Sequence, residues 1–414
     1  MIGLGYIGLP TATLFASRKK KVIGVDVSQH AVDTINQGKI HIVEPELDIL
    51  VRAAVHEGYL CATTQPEPAD AFLIAVPTPF KDGHKPDLSY IESAAKAIAP
   101  VLTKGNLVVL ESTSPVGATE QMAAWLAEAR PDLTFPQTAG ENADVQVAHC
   151  PERVLPGHVV RELVSNDRVI GGMTKKASEM AVALYKTFVE GECIVTNART
   201  AEMCKLTENS FRDVNIAFAN ELSMICDQLS INVWELIALA NRHPRVNILQ
   251  PGAGVGGHCI AVDPWFIVDT TPDEARIIRT AREVNDHKPE WVLNKVKVAI
   301  AEVLASKPGS TMADVKVACL GLAFKPDIDD LRESPAVAIT QQIAQLGCQV
   351  LAVEPNIEAL PAKLNVTNLS LSPLIDALTA ADVICLLVKH KPFVEAVQDI
   401  QRHTNVIDSV GLFA

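Results

Sequence analysis

The run Gly3-Leu4-Gly5-Tyr6-Ile7-Gly8 constrains this chain more than any other, and it stands almost at the first residue. Three glycines at this spacing answer three needs of a strand-turn-helix. Gly3 permits the tight turn, Gly5 lets a pyrophosphate approach the backbone, and Gly8 lets the helix pack against the strand. The phosphates would then sit on a helix N-terminus. Such a run can also be a structural glycine turn. Asp26 weighs against that, because it lies 18 residues past Gly8 at the end of the apolar stretch Lys21–Asp26. A carboxylate there reaches the ribose 2′-hydroxyl and favours NAD over NADP. Gly3, Gly5, Tyr6, Ile7, Gly8 and Asp26 are therefore expected to line the cofactor. Only Met1 and Ile2 precede the turn, whereas a first strand usually has about five or six residues. Either that strand is short or residues upstream of it are lacking.

Apolar stretches at Lys21–Asp26, Ala71–Val76 and Asn106–Glu111 alternate with helix-like segments. This pattern predicts β-α-β units around a parallel sheet. From about Thr200 to Ser230 no proline or glycine interrupts the chain, which predicts one long connecting helix. The last hundred residues echo the first. Val317–Ala323 repeats the opening strand and turn, Gln349–Pro355 repeats Lys21–Asp26, and Ala380–Val388 repeats the strand ending at Val76. This second unit lacks the three glycines, so it should share the fold and bind something other than a dinucleotide pyrophosphate. The fold class is α/β: two Rossmann-like parallel-sheet domains joined by a long central helix, and such helices often carry a dimer contact.

The second constraining segment is Gly254-Val255-Gly256-Gly257-His258-Cys259-Ile260-Ala261-Val262-Asp263-Pro264. It sets a cysteine in a glycine-rich turn with a carboxylate four residues later. Free cysteine is usually a small buried hydrophobe. Here the glycines open backbone donors to whatever reacts beside the sulfur, as a thiolate or an oxyanion requires. A thiol beside a nicotinamide site points to an aldehyde captured covalently and oxidised again. His258 faces away from Cys259 if the segment is extended, so it is not assigned as a base.

Lys205, Asn209 and Arg212 fall at i, i+4 and i+7 of the long helix and share a face. Spacing alone leaves that face open between a solvated stripe and the lining of a site. Cys150-Pro151-Glu152-Arg153-Val154-Leu155-Pro156-Gly157 holds an acid and a base between prolines, as a rigid catalytic loop or a surface turn would. The charged segment Lys325–Pro335 follows the first strand of the second α/β unit, where such units bind ligand; a solvated loop is the alternative.

A net charge of -13 disfavours nucleic acid and anionic membranes as partners. No apolar run approaches the roughly 18 residues a membrane span needs. The nine cysteines are scattered without a CxxC pair, which fits a reducing cytoplasm and no zinc site. His41, His56 and His84 lack ligand spacing, so no metal is expected.

Together these motifs resemble the UDP-glucose/GDP-mannose dehydrogenase family. The resemblance runs from Gly3–Pro10 through Val76–Pro79, Glu111–Gly117 and the Cys259 segment to Phe324–Pro335. The PERVLPG segment resembles the branch that acts on UDP-N-acetylhexosamines. The resemblance implies an NAD-binding domain over 1–198, a central helical dimerisation domain over 199–305 and a UDP-sugar domain over 306–414. It implies a homodimer that oxidises C6 of UDP-N-acetyl-D-mannosamine to a uronate with two NAD, for a bacterial surface polysaccharide. The alternative substrate is UDP-N-acetyl-D-glucosamine. It makes Cys259 the nucleophile, Lys205 a cation for developing oxyanions and Asn209 a positioning group, with Glu152 and Asp263 handling protons. Arg153, Val154, Lys205, Asn209, Arg212, His243, Arg245, Gly256, Phe324 and Lys325 would bind the UDP-sugar, with Arg245 reaching across the dimer. Thr78, Thr119 and Arg332 would touch NAD. Ala261 stands where relatives often have proline, which alters turn rigidity rather than chemistry. A β-hydroxyacid dehydrogenase, which needs one oxidation and no thiol, and an NAD-dependent sensor are the competing classes.

Overall fold

The computed structural model describes residues 1–42, 44–154, 157–257 and 259–414. The chain divides into two units, Met1–Glu208 and Asn209–Ala414.

The first unit contains β1 (Val22–Val25), β2 (Leu60–Thr63), β3 (Ala71–Ile74), β4 (Leu107–Leu110), β5 (Gln146–His149), β6 (Arg168–Gly172) and β7 (Cys193–Asn197). Strands β1 and β2 pair in parallel, and β3 to β7 form a second run in sequence order. Ile2 bridges to both Val25 and Ile74, so the opening residues join the two runs. The backbone N–H of Gly3 donates to Val25 O at 2.8 Å and that of Ala75 to Ile2 O at 2.8 Å. These opening residues deliver Gly3–Gly8 at the centre of the sheet. β6 runs antiparallel to β5, and β7 returns parallel to β6.

All four residues of β4 are buried. Leu107 and Val109 face one core while Val108 and Leu110 face the other. This two-sided burial is why the parallel strands read as unbroken apolar runs. The expected repeat is present in the second unit. There β8 (Lys316–Leu320), β9 (Gln349–Val353), β10 (Leu369–Leu371), β11 (Val383–Leu386) and β12 (Val406–Asp408) form one parallel sheet in the order β10-β9-β8-β11-β12. Its first strand, β8, lies between β9 and β11, as Ile2 lies between β1 and β3.

The long helix is Ala198–Gln228, close to the expected span. A second long helix, Arg276–Ser306, packs along it in the second unit through buried polar side chains. Arg282 pairs with Asp213 at 2.6 Å, Asn285 Nδ2 donates to Asp213 at 2.8 Å, and Asn220 Nδ2 donates to Asn285 at 2.9 Å. Asn220 Oδ1 accepts the N–H of Gly252 at 2.9 Å, so this ladder also holds the entrance to the Cys259 segment. Buried polar groups need such partners, because each one left unsatisfied costs about 1–3 kcal/mol.

Lys288 belongs to the same ladder: its ammonium donates to Ser223 Oγ at 2.5 Å and stands 3.7 Å over the Trp291 ring. Burial pulls its pKa from 10.5 down to about 7, against the attraction of Asp227. The unfolded chain therefore keeps a proton that the folded protein sheds between these values, and stability rises with pH across that window. Lys288→Met should remove this rise. Denaturant unfolding should show the variant's stability relative to wild type falling by on the order of 2 kcal/mol from about pH 7 to about pH 9.5. A constant difference would contradict the assignment.

Candidate active site

In the first unit the glycine turn has the shape its spacing calls for. Gly3 adopts φ +88°, and a Cβ there would lie 2.5 Å from Ala75 O. A Cβ on Gly8 would lie 1.8 Å from Gly3 O, while nothing stands within 4 Å of one on Gly5. Gly3 and Gly8 are thus closed by backbone, and Gly5 faces open space into which a pyrophosphate can come. The helix that follows, Gly8–Ser17, has no side-chain cap on its N-terminus. Asp26 accepts N–H groups from Leu4 and Ser28, both at 2.9 Å, which aims its carboxylate over the turn. A carboxylate offers about four lone-pair sites, so capacity remains for a ribose hydroxyl. These residues fit NAD. Tyr6 is partly exposed on the turn, and Ile7 precedes the helix.

Thr78 is half-buried and donates its hydroxyl to Thr113 O. Thr119 is fully buried, and its hydroxyl donates to Glu202 at 2.6 Å. The same carboxylate takes the N–H groups of Gly117 and Thr119 at 2.6 and 2.7 Å. Glu202 on the long helix thus caps the helix Ala118–Ala129, and the Thr119 hydroxyl joins that cap.

The PERVLPG loop leaves the end of β5 and is pinned from several sides; Leu155 and Pro156 lie outside the described residues. Glu152 is 8% exposed, pairs with the buried Arg168 at 2.9 Å, and accepts the N–H of Arg153 at 2.8 Å. Arg153 grips Glu208 through Nε at 3.1 Å and through its terminal nitrogen at 2.6 Å. Glu44 takes the N–H groups of Gly157 and Val159 at 2.9 and 2.8 Å. Val154 packs on the core below. Behind Glu152, Tyr185 donates to Glu111 at 2.5 Å, and burial pushes Glu111 up to about 7. Lys205 is half-buried on the same helix as Glu208.

In the second unit Asn209 Nδ2 donates to Asp263 Oδ2 at 2.5 Å. Asp263 is buried at the first position of the helix Asp263–Thr270. The carbonyl of Cys259 accepts the N–H groups of Val262 and Asp263 at 3.0 and 2.8 Å. One tight turn therefore joins the thiol-bearing residue to the carboxylate held by Asn209. Cys259 is exposed, whereas burial pushes Cys150 and Cys319 up to about 12, which leaves those two thiols inert. His258 lies outside the described residues.

The glycines before Cys259 press on the loop after β8. A Cβ on Gly256 would lie 2.5 Å from Glu333 O and 3.0 Å from Phe324 Cβ, and one on Gly254 would lie 2.9 Å from Pro335. Gly256 and Phe324 are thereby brought together, three residues before Cys259. Lys325 sits 5.8 Å over the Phe324 ring. Arg332 clasps Asp330 of its own loop at 2.8 and 2.6 Å. Arg212, His243 and Arg245 are exposed, and the N–H of Arg245 donates to His243 Nδ1 at 3.3 Å.

Three models of one family match the chain: the UDP-glucose/GDP-mannose dehydrogenase NAD binding domain over residues 1–189, the central domain over 199–287 and the UDP binding domain over 318–413. The chain is 68% identical over 402 residues to the UDP-N-acetyl-D-mannosamine dehydrogenase of Campylobacter jejuni, covering 96% of this chain and 97% of that protein. It is 66% identical over 416 residues to the NDP-N-acetyl-D-galactosaminuronic acid dehydrogenase of Ralstonia nicotianae, covering 100% of this chain and 96% of that one. Its structure resembles that of the UDP-D-ManNAc dehydrogenase of Pyrococcus horikoshii with TM-score 0.87 and 38% identity, over 99% of this chain and 94% of that one. The chain belongs to the UDP-glucose/GDP-mannose dehydrogenase family and is an NAD-dependent dehydrogenase.

Proposed function

We propose that this enzyme oxidises C6 of UDP-N-acetyl-D-mannosamine to the carboxylate, supplying a uronate for a bacterial surface polysaccharide from the cytoplasm. The observation that carries the four-electron reading is the turn joining exposed Cys259 to the Asn209–Asp263 pair in an NAD-dependent dehydrogenase. The sugar is inferred from relatives such as the Campylobacter protein. The Ralstonia relative, at nearly the same identity, motivates a galacto-configured sugar as the second reading.

In this proposal residues 1–198 hold the cofactor, 199–305 carry the dimer contact and the thiol, and 306–414 hold the UDP-sugar. Bound NAD supplies the hydride acceptor for both oxidations. A carboxylate, Glu152 or Asp263, takes the proton of the C6 hydroxyl as the first hydride leaves. The Cys259 sulfur then adds to the aldehyde carbon, and the oxygen gains a proton to give a thiohemiacetal. Loss of a second hydride and that proton leaves a thioester, which water cleaves to free the thiol and the carboxylate. Lys205 and the N–H groups of the Cys259 turn offset charge on the oxygen at each stage. One such donor is worth about 2.7–4 kcal/mol. Asn209 keeps Asp263 oriented, and Arg153, Val154, Arg212, His243, Arg245, Gly256, Phe324 and Lys325 hold the UDP-sugar. Tyr6, Thr78 and Arg332 attend the cofactor.

Phe211, Phe218, Ile225 and Leu229 recur along one stripe of the long helix and are 70%, 51%, 45% and 62% exposed. A stripe this apolar calls for cover, and a second copy of the chain is the proposed occupant.

Purified enzyme with UDP-N-acetyl-D-mannosamine, its gluco epimer and UDP-N-acetyl-D-galactosamine side by side should give the highest kcat/KM with the manno sugar, and a uronate product. Preference for either other sugar would overturn the substrate assignment. Cys259→Ser should lower acid formation at least about 100-fold, and full turnover by that variant would contradict covalent catalysis. A Phe211→Glu/Phe218→Glu variant should run as a monomer in light scattering, and a persistent dimer would place the interface elsewhere.

A further inference from the structure

His390 is fully buried at the end of the β11 connection and takes no part in the chemistry above. Its Nε2 lies 2.9 Å from Glu354 Oε2, and its Nδ1 accepts the N–H of Asp327 at 2.9 Å. A backbone N–H can only donate, so Nδ1 carries no proton and the ring proton resides on Nε2, toward Glu354. Glu354 closes the set from the end of β9. It accepts the N–H groups of Leu322 and Ala323 at 2.7 and 3.0 Å, and Asn356 at 3.0 Å. Burial raises the Glu354 carboxyl, but His390 and these N–H groups outweigh it and hold the group below its ordinary value.

Glu354 stands where Asp26 stands in the first unit. Asp26 is half-exposed and accepts a single N–H from its glycine turn, at Leu4, leaving room for a ribose. Glu354 is 4% exposed and spends its oxygens on the turn and on His390. The second unit has thus converted a ligand-reading acid into an anchor for a histidine.

What the histidine anchors is the loop after β8. Asp327 holds φ +58°, a conformation uncommon outside glycine. It is clasped from both ends: its N–H enters His390 Nδ1, and its Oδ1 takes the N–H of Lys391 at 2.9 Å. That loop carries Phe324 and Lys325 and packs through Phe324, Glu333 and Pro335 on the turn Gly254–Gly257. A connected line of contacts therefore runs from Glu354 through His390 and Asp327 to the backbone that leads into Cys259.

We infer that His390 is a positioning residue, a neutral imidazole latch that fixes the Phe324–Pro335 loop as the wall of the UDP-sugar site and of the Cys259 turn. The inference rests on the reading that this loop borders the UDP-sugar.

The two nitrogens can be tested separately. Asn at 390 can keep an acceptor near the Nδ1 position, while Gln can reach Glu354 and loses the Asp327 acceptor. Calorimetry with UDP alone should show His390→Gln binding at least about tenfold more weakly than wild type, with His390→Asn within about threefold. Both variants should bind NAD as wild type does and unfold cooperatively. The rate at which iodoacetamide labels Cys259, read by peptide mass spectrometry, should change for His390→Gln and not for His390→Asn. Unchanged UDP affinity in His390→Gln would overturn the latch. Equal weakening in both variants, or parallel loss of NAD binding, would also overturn it, because those outcomes mark a general packing defect. If wild type binds UDP but oxidises no UDP-N-acetylhexosamine, the proposed reaction fails while the UDP titration still decides the latch.

Discussion

The thiol end of this enzyme depends on two backbones meeting where a side chain would keep them apart. Gly254, Gly256 and Gly257 bring the segment before Cys259 against Phe324, Glu333 and Pro335, at distances that a Cβ on Gly256 would shorten to 2.5 Å. This contact lets the long-helix pair Asn209–Asp263 and the loop after β8 act on the same short turn. The glycines give up conformational freedom in return for an exposed thiol on a well-held backbone.

In the first unit, charge is used for fixation. Arg168 holds Glu152, Glu44 holds the far end of the PERVLPG loop, and Glu202 holds the start of the helix Ala118–Ala129. Each is a buried or nearly buried carboxylate satisfied by N–H groups or a guanidinium. Breaking such a pair leaves a buried charge without compensation, at a cost of about 3–5 kcal/mol. Both Glu152 oxygens are engaged in this way, one by the Arg168 guanidinium and one by the N–H of Arg153, which fixes the direction of the carboxyl group.

The fold was legible in the sequence because its signals are local. Three glycines, an acid at a strand end and apolar runs of strand length are read residue by residue, and the second unit was visible as an echo of the first. The Cys259 segment was legible for the same reason. The fixing residues were not. Arg168 offered a faint signal, a charge opening the apolar run Arg168–Gly172, but nothing near it names Glu152 as its partner. Glu202 and His390 act across 83 and 63 residues of chain, and such pairings exist only once the strands are ordered. The contact between the Thr119 hydroxyl and Glu202 was hidden in the same way, because it joins residues 83 positions apart.

The central claim is that one thiol carries the sugar between two oxidations on the same enzyme. The most direct measurement is NADH formed per sugar consumed, with limiting UDP-N-acetyl-D-mannosamine, excess NAD and the reaction run to completion. Two NADH with no aldehyde released is the outcome the account predicts. One NADH, with free aldehyde in solution, would mean that the Cys259 turn captures nothing and that the enzyme stops at the first oxidation.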